Sequence, residues 1–235
     1  MDVLWHALEV PEVFRKLGST PRGLSEEEAR RRLRVYGLNE LRREEGVHPI
    51  TIFLSQFKSP LIMLLLGATA LSVAIGEVLD AVTIIAIVIA SAVLGFYQEY
   101  RAEKALEALK KLTAPTATVL RDGKEVTIDA RYIVPGDVLV LSAGDRVPAD
   151  ARVFEAINLK VDEAPLTGES VTVTKSADPL PPDIPLPERK NMVYAGTVVT
   201  YGKGKAVVVA TGMNTELGKI AESIQVMEEE KTPLE

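Results

Sequence analysis

The residues best suited to chemistry in this 235-residue chain form one short polar stretch, Thr167-Gly168-Glu169-Ser170. A glycine lets backbone approach another group closely, a carboxylate can take a proton from water, and flanking hydroxyls can hold that water. The same four residues also suit an ordinary exposed turn, so their setting must decide. Little else in the chain competes. The absence of Cys removes disulfide frameworks, thiol nucleophiles and cysteine-ligated zinc. His6 and His48, the only histidines, lack ligand spacing and read as structural, so no metal site is expected. No glycine-rich loop ending in Gly-Lys-Ser/Thr occurs, which leaves no nucleotide-binding loop of that kind. With 27 Lys and Arg against 33 Asp and Glu, the net charge of -6 also argues against nucleic acid, whose affinity comes mainly from cations on phosphates.

The polar stretch lies between strand signals. After Pro115 the chain turns to short β-branched runs. Thr116 to Arg121 and Lys124 to Ile128 flank Asp122-Gly123, a hairpin pattern. Further strands are predicted at Val138–Leu141, Arg152–Ala156, Leu159–Asp162, Val171–Lys175, Thr197–Tyr201 and Lys205–Ala210. Regular short strands with Gly, Pro and Asp turns predict a sandwich or jelly-roll-like domain. The prolines from Pro179 to Pro187 read as an extended linker without chemistry, and Asn214 as the cap of a closing helix through Leu217, Ile220, Ile224 and Met227. Upstream, a short helix is expected around Leu4–Leu8, with Pro11 and Gly18 as punctuation. Ser25 with Glu28 forms a capping box for a helix whose Ala29, Leu33 and Tyr36 share a face and which stops at Gly37. Arg30, Arg31, Arg32 and Arg34 read as a solvated face balanced by Glu26, Glu27 and Glu28.

Between these parts lie two uncharged runs of 18 residues, Ser59 to Gly76 and Ala81 to Gln98, joined by Glu77-Val78-Leu79-Asp80. At about 1.5 Å per residue each spans roughly 27 Å, close to the thickness of a bilayer's hydrocarbon layer. Backbone in lipid must satisfy its own hydrogen bonds, so the pattern predicts an antiparallel transmembrane hairpin. Lys58, Arg42 and Arg43 before it, and Arg101, Lys104, Lys110 and Lys111 after it, place both ends and the β-rich domain in the cytoplasm. The opening Met1-Asp2-Val3-Leu4-Trp5 has no basic leader or long apolar run, so no cleaved signal peptide is expected. The second helix continues without Gly or Pro to Leu112, a rod of roughly 48 Å that should project from the bilayer as a lever or a spacer.

With these elements in place the motifs resemble those of the P-type ATPases, the cation pumps that pass through an aspartyl-phosphate. Gly23-Leu24-Ser25, Tyr36-Gly37 and Asn39-Glu40-Leu41 are similar to that family's N-terminal segment, and Arg101-Ala102-Glu103-Lys104-Ala105-Leu106 to its second membrane helix and stalk. Pro135-Gly136-Asp137, Gly144-Asp145, Pro148-Ala149-Asp150, Asp162-Glu163, Leu166 to Ser170 and Thr211 to Lys219 resemble its actuator domain. Ala164-Pro165 and Thr172 depart from the family pattern around the loop.

The resemblance implies an α+β membrane protein fragment with an N-terminal helical segment at 1–50, a transmembrane hairpin and stalk at 51–112, a β-rich jelly-roll-like actuator domain at 113–228, and a linker at 229–235 to a third membrane helix. It implies that Glu169 deprotonates water attacking the aspartyl-phosphate, with Thr167, Gly168 and Ser170 approaching the phosphoryl group. ATP and Mg2+ would be bound by phosphorylation and nucleotide-binding domains beyond these residues, and the fragment alone should be inactive. The other partners would be the lipid bilayer, further membrane helices and a transported cation, with Ca2+ the first expectation. The rival reading is a membrane-anchored β-domain that binds a partner without catalysis.

Overall fold

A computed structural model describes residues 3–41, 49–112, 115–168 and 171–230, with 106–112 and 224–230 described by backbone alone. In chain order the elements are α1 (Val10–Leu17), α2 (Glu26–Tyr36), α3 (Pro49–Gln56), α4 (Pro60–Ile75), α5 (Val78–Leu112), β1 (Thr116–Arg121), β2 (Lys124–Asp129), β3 (Val138–Ser142), β4 (Asp150–Asp162), α6 (Ala164–Thr167), β5 (Thr172–Thr174), β6 (Met192–Val193), β7 (Val198–Ala210) and α7 (Glu216–Glu230). The chain divides into two compact units: Met1–Arg42 with Pro115–Glu235, and Arg43–Ala114.

The first unit is built on one antiparallel sheet, ordered β2-β1-β3-β7-β4-β5, with β6 added beside β4. The β1–β2 hairpin turns through Asp122 and Gly123, both at positive φ as a tight two-residue turn requires. Four of the predicted strands are really two. Arg152–Ala156 and Leu159–Asp162 are halves of β4, and Thr197–Tyr201 and Lys205–Ala210 fall almost wholly within β7. Register shifts along the β4–β7 ladder let these long strands bend, so Ala151, Val153, Leu159 and Val161 of one strand all enter the same buried core. A single bent sheet thereby encloses a core of the kind expected between two. Gly202 sits at the bend with φ +75°, its α-carbon so close to the Asn158 carbonyl that a side chain would collide with it.

The sheet's second face follows from the pleat. Leu139 and Leu141 point into the main core, whereas Val138 and Val140 join Leu120, Val207 and Phe154 in packing against Val13 and Phe14 of α1. Pro11 lies in the first turn of α1, where its missing N–H is harmless, so it opens a helix where punctuation was expected. The residues around Leu4–Leu8 form only a 3-10 turn, Trp5–Ala7. In α2, Ser25 accepts the Glu28 N–H at 3.2 Å, but the Glu28 carboxylate turns to Arg31 and Arg32, so only half of the capping box forms. Ala29 and Leu33 pack on Val134, while Tyr36 remains exposed. The cap of α7 is Thr215, whose Oγ1 accepts the Gly218 N–H at 3.0 Å, and Asn214 belongs to the preceding 3-10 turn. The proline-rich segment is docked: the Leu180 N–H donates to the His6 carbonyl, and the His6 ring donates from Nε2 to the Pro182 carbonyl.

In the second unit α4 and α5 pack through Ile62, Val88 and Ala92, with α3 preceding α4 at a bend of 59°. The first uncharged run is thus a 16-residue helix, and α5 begins at Val78 inside the expected turn. The rod predicted from Ala81 to Leu112 is continuous within α5. Over Val78–Ala105 α5 is long and apolar enough to cross a membrane, and the bent α3–α4 pair passes the same test only if counted as one span.

Candidate functional site

Thr167 and Gly168 lie between β4 and β5, at the β5 edge of the sheet. The neck of this connection is a short antiparallel ladder in which Asp162 pairs with Thr172, Val161 with Val173 and Lys160 with Thr174. One turn of helix, α6, follows immediately. Pro165 starts it in a position that costs no hydrogen bond, and Gly168 ends it at φ +74°, the left-handed conformation that favours glycine. The Gly168 N–H closes the turn on the Ala164 carbonyl at 2.9 Å, and the Asp162 carboxylate accepts the Ala164 N–H at 3.0 Å. Among the described residues, no atom outside its immediate chain neighbours lies within 4 Å of where a Gly168 side chain would start. Val171, on the far side of the tip, is 72% exposed.

Thr167 and Gly168 are therefore placed at the end of one helical turn, at the rim. Glu169 and Ser170 lie outside the described residues, as do His48 and the expected linker residues beyond Glu230.

Beneath the rim is a feature that motif reading missed. The Glu163 carboxylate and the Lys175 ammonium form an ion pair of 2.6 Å with side chains 1% and 0% exposed. Burial pushes the Glu163 carboxyl up and the Lys175 ammonium down, and mutual attraction opposes both shifts. Glu163 also supplies the carbonyl that accepts the N–H groups of Leu166 and Thr167 and the Thr167 hydroxyl, at 2.9, 3.0 and 3.1 Å. Glu163 entered the sequence reading only within the family-like Asp162-Glu163, and the antiparallel register sets Lys175 beside Leu159, so neither spacing nor pairing signals the contact.

Two other buried carboxylates lie elsewhere in the unit. Asp137, fully buried, accepts from Arg121 Nε and Nη2 at 3.3 and 3.1 Å and from the Val134 N–H at 3.0 Å, while Arg121 reaches Glu26 of α2 at 3.0 Å. Asp150 accepts the N–H groups of Ala195 and Glu216, tying β4 to the start of α7, and burial pushes its carboxyl up to about 6. A cavity of about 430 Å3 lies elsewhere in the unit among Trp5, Lys16, Arg31, Arg32, Tyr36 and Asn214.

Among the described residues no three His, Asp or Glu side chains gather as a metal site. The cavity's cations are largely engaged, with Arg31 and Arg32 on Glu28, and Arg32 also on the Pro135 and Gly18 carbonyls. These residues do not fit Mg2+ or a nucleotide.

Two family models match the chain. The model of the P-type ATPase actuator domain matches residues 111–225, and that of the cation transporter/ATPase N-terminus matches 5–72. The chain is 45% identical over 218 residues to a calcium-transporting ATPase of Bacillus subtilis, covering 92% of this chain and 24% of the relative. It is 42% identical over 224 residues to a calcium-transporting ATPase of Listeria monocytogenes, covering 95% and 26%. A probable cation-transporting ATPase F of Mycobacterium tuberculosis is 42% identical over 230 residues, covering 97% and 25%. The chain spans about a quarter of the length of these curated relatives.

Proposed function

This chain belongs to the P-type cation-transporting ATPases, whose N-terminal and actuator domains it carries, and from that premise we propose that Thr167-Gly168-Glu169-Ser170 drives hydrolysis of an aspartyl-phosphate formed elsewhere in the intact pump. In that step the oxygen of a water bonds to phosphorus, the bond from phosphorus to the aspartyl oxygen breaks, and the water's proton passes to the Glu169 carboxylate. The products are free phosphate and a regenerated aspartate. A carboxylate close to a phosphoryl group suffers like-charge repulsion, so it serves best when delivered for the reaction and then withdrawn. Rotation of the β-rich unit would make that delivery, and α5 would carry the displacement to the membrane as a rigid rod.

The observation that carries this reading is the turn itself. Thr167 and Gly168 stand at its end, on a neck held by β4 and β5, and among the described residues no atom beyond chain neighbours lies within 4 Å of where a Gly168 side chain would start. ATP and Mg2+ belong, in this reading, to domains beyond these residues. We assign α5 and the α3–α4 pair to the membrane, because their outward residues Leu64, Leu79, Ile89 and Leu94 are more than half exposed and apolar. In this reading Arg42 and Arg43 before the pair, and Arg101 and Lys104 near the end of α5, favour the cytoplasmic side for both ends. Ca2+ is the proposed cargo, after the two relatives named as calcium-transporting.

The test is Glu169→Gln in the intact pump. Phosphoenzyme should form from ATP to the normal level and then decay about a hundredfold more slowly or worse, the usual contribution of a positioned base. Decay at the unaltered rate would refute the role of Glu169.

A further inference from the structure

Pro165, Gly168 and Val171 are exposed, yet this turn must hold a reacting group accurately if it acts on a phosphoryl centre. Asp162 of β4 fastens the start of α6 through the Ala164 N–H. A second attachment is Glu163, the residue at which β4 gives way to the turn. Its side chain is held by Lys175 at 2.6 Å, and Lys175 is itself anchored because its N–H donates to the Leu159 carbonyl at 2.8 Å. Its main-chain carbonyl holds Thr167 through both the N–H and the hydroxyl. One residue therefore links the sheet interior to the rim. The two charges stand on the two arms, twelve positions apart in sequence: Glu163 follows the ladder's loop-side pair, Lys175 leaves the ladder at its opposite end beside Leu159, and the lysine side chain reaches back to tie the arms together.

An ion pair with both side chains this deeply buried is an expensive way to stabilise a fold, since well-packed apolar side chains in the same place commonly do as well or better. Its particular advantage is directional: an ammonium and a carboxylate in contact define a distance and an angle that methyl groups do not. We propose that the Glu163–Lys175 ion pair is a positioning device that sets the height and orientation of Thr167, Gly168 and Glu169 for phosphoryl hydrolysis. The inference rests on the function proposed above and names two residues that the loop motif does not contain. Both act through the loop and neither touches the phosphoryl group.

The decisive variant is the double replacement Glu163→Met with Lys175→Met in the intact pump. It removes both charges and leaves none stranded, so the protein should retain its yield and unfolding midpoint. Phosphoenzyme formation from ATP should be normal, and decay should slow by about tenfold to a hundredfold, the effect of displacing a reacting group by roughly an ångström. Lys175→Arg, which keeps the pair, should stay within a few-fold of the unaltered pump. Glu163→Asp offers a second route that does not depend on the double variant folding. It keeps the charge but shortens the arm by one methylene, and it too should slow decay without reducing phosphoenzyme formation. Normal decay in the double variant, or in Glu163→Asp, would overturn the proposal and leave the pair a structural feature only. Glu169→Gln in the same assay separates the two levels. If it slows decay while the Glu163 and Lys175 variants do not, the positioning role alone fails. If it leaves decay unchanged, the function of the loop fails and this inference falls with it.

Discussion

Replacing Arg152 by Met should loosen the N-terminal segment from the sheet while leaving the sheet intact. Arg152 on β4 is fully buried and faces carbonyls in place of a carboxylate. Its Nε donates to the Trp5 carbonyl at 3.2 Å, Nη2 to those of Leu8 and Ala177 at 3.2 and 3.1 Å, and Nη1 to Val153 and Asn191. Burial brings the guanidinium down from 12.5 to about 10, so Met relieves about 3 kcal/mol of unfavourable desolvation at the usual 1.4 kcal/mol per pH unit. On the other side, the Leu8 and Ala177 carbonyls lose the one donor found for them among the described residues, at about 2 kcal/mol each, and Trp5 loses one of two, worth about 1 kcal/mol. The loss outweighs the relief by about 2 kcal/mol, which for a chain of this size lowers the midpoint of thermal unfolding by roughly 4–8 °C. Trp5 is the only tryptophan, so its emission reports the release directly: it should shift to the red and become more quenchable. Arg152→Lys should be at least as damaging as Met, because it keeps a buried cation while offering fewer and less reaching donors. Unchanged Trp5 emission and an unchanged midpoint in Arg152→Met would refute the view that this guanidinium clamps the N-terminal segment.

Two further tests address the same unit. His6 is buried and its ring is held below its ordinary 6.5 chiefly by burial, so the folded state binds fewer protons than the unfolded chain. Its contribution to stability is complete above 6.5 and is lost as the pH falls from there toward the folded value; Asp150, raised to about 6, acts in the opposite sense, losing stability as the pH rises through that value. The midpoint difference between the unaltered chain and His6→Gln should therefore narrow between about pH 7 and pH 5, and a constant difference would exclude His6 as the source. Gly23→Ala should cost about 3 kcal/mol or more, since Gly23 has φ +83° and an added Cβ would collide with the Leu120 carbonyl on β1. Denaturant titration measures it, and a loss below 1 kcal/mol would show that the chain shifts there at little cost.

Local elements were legible in the sequence because their causes are local. The Asp122-Gly123 turn needs two residues that accept positive φ, the α2 cap needs one hydroxyl three residues before an N–H, and the rod of α5 needs only a long stretch without Pro. Thr167 to Ser170 was singled out by residue type together with the family resemblance around it, and Thr167 and Gly168 end a single helical turn after β4. Strand count was misread at β4 and β7 because their bends at irregular register look like turns to a reading that sees one strand at a time.

The tertiary structure alone decided which distant groups meet. Nothing in the spacing of Trp5, Leu8, Ala177 and Arg152 indicates that three backbone carbonyls would gather around one guanidinium, and nothing ties Glu26 to Arg121 and Asp137. Glu163 and Lys175 each look like ordinary surface charges beside a loop; they become a buried pair only because the sheet folds over them and excludes water. Short-range pattern determines backbone conformation through sterics and neighbouring hydrogen bonds, whereas the strength of a charge pair depends on the dielectric that the rest of the chain assembles around it.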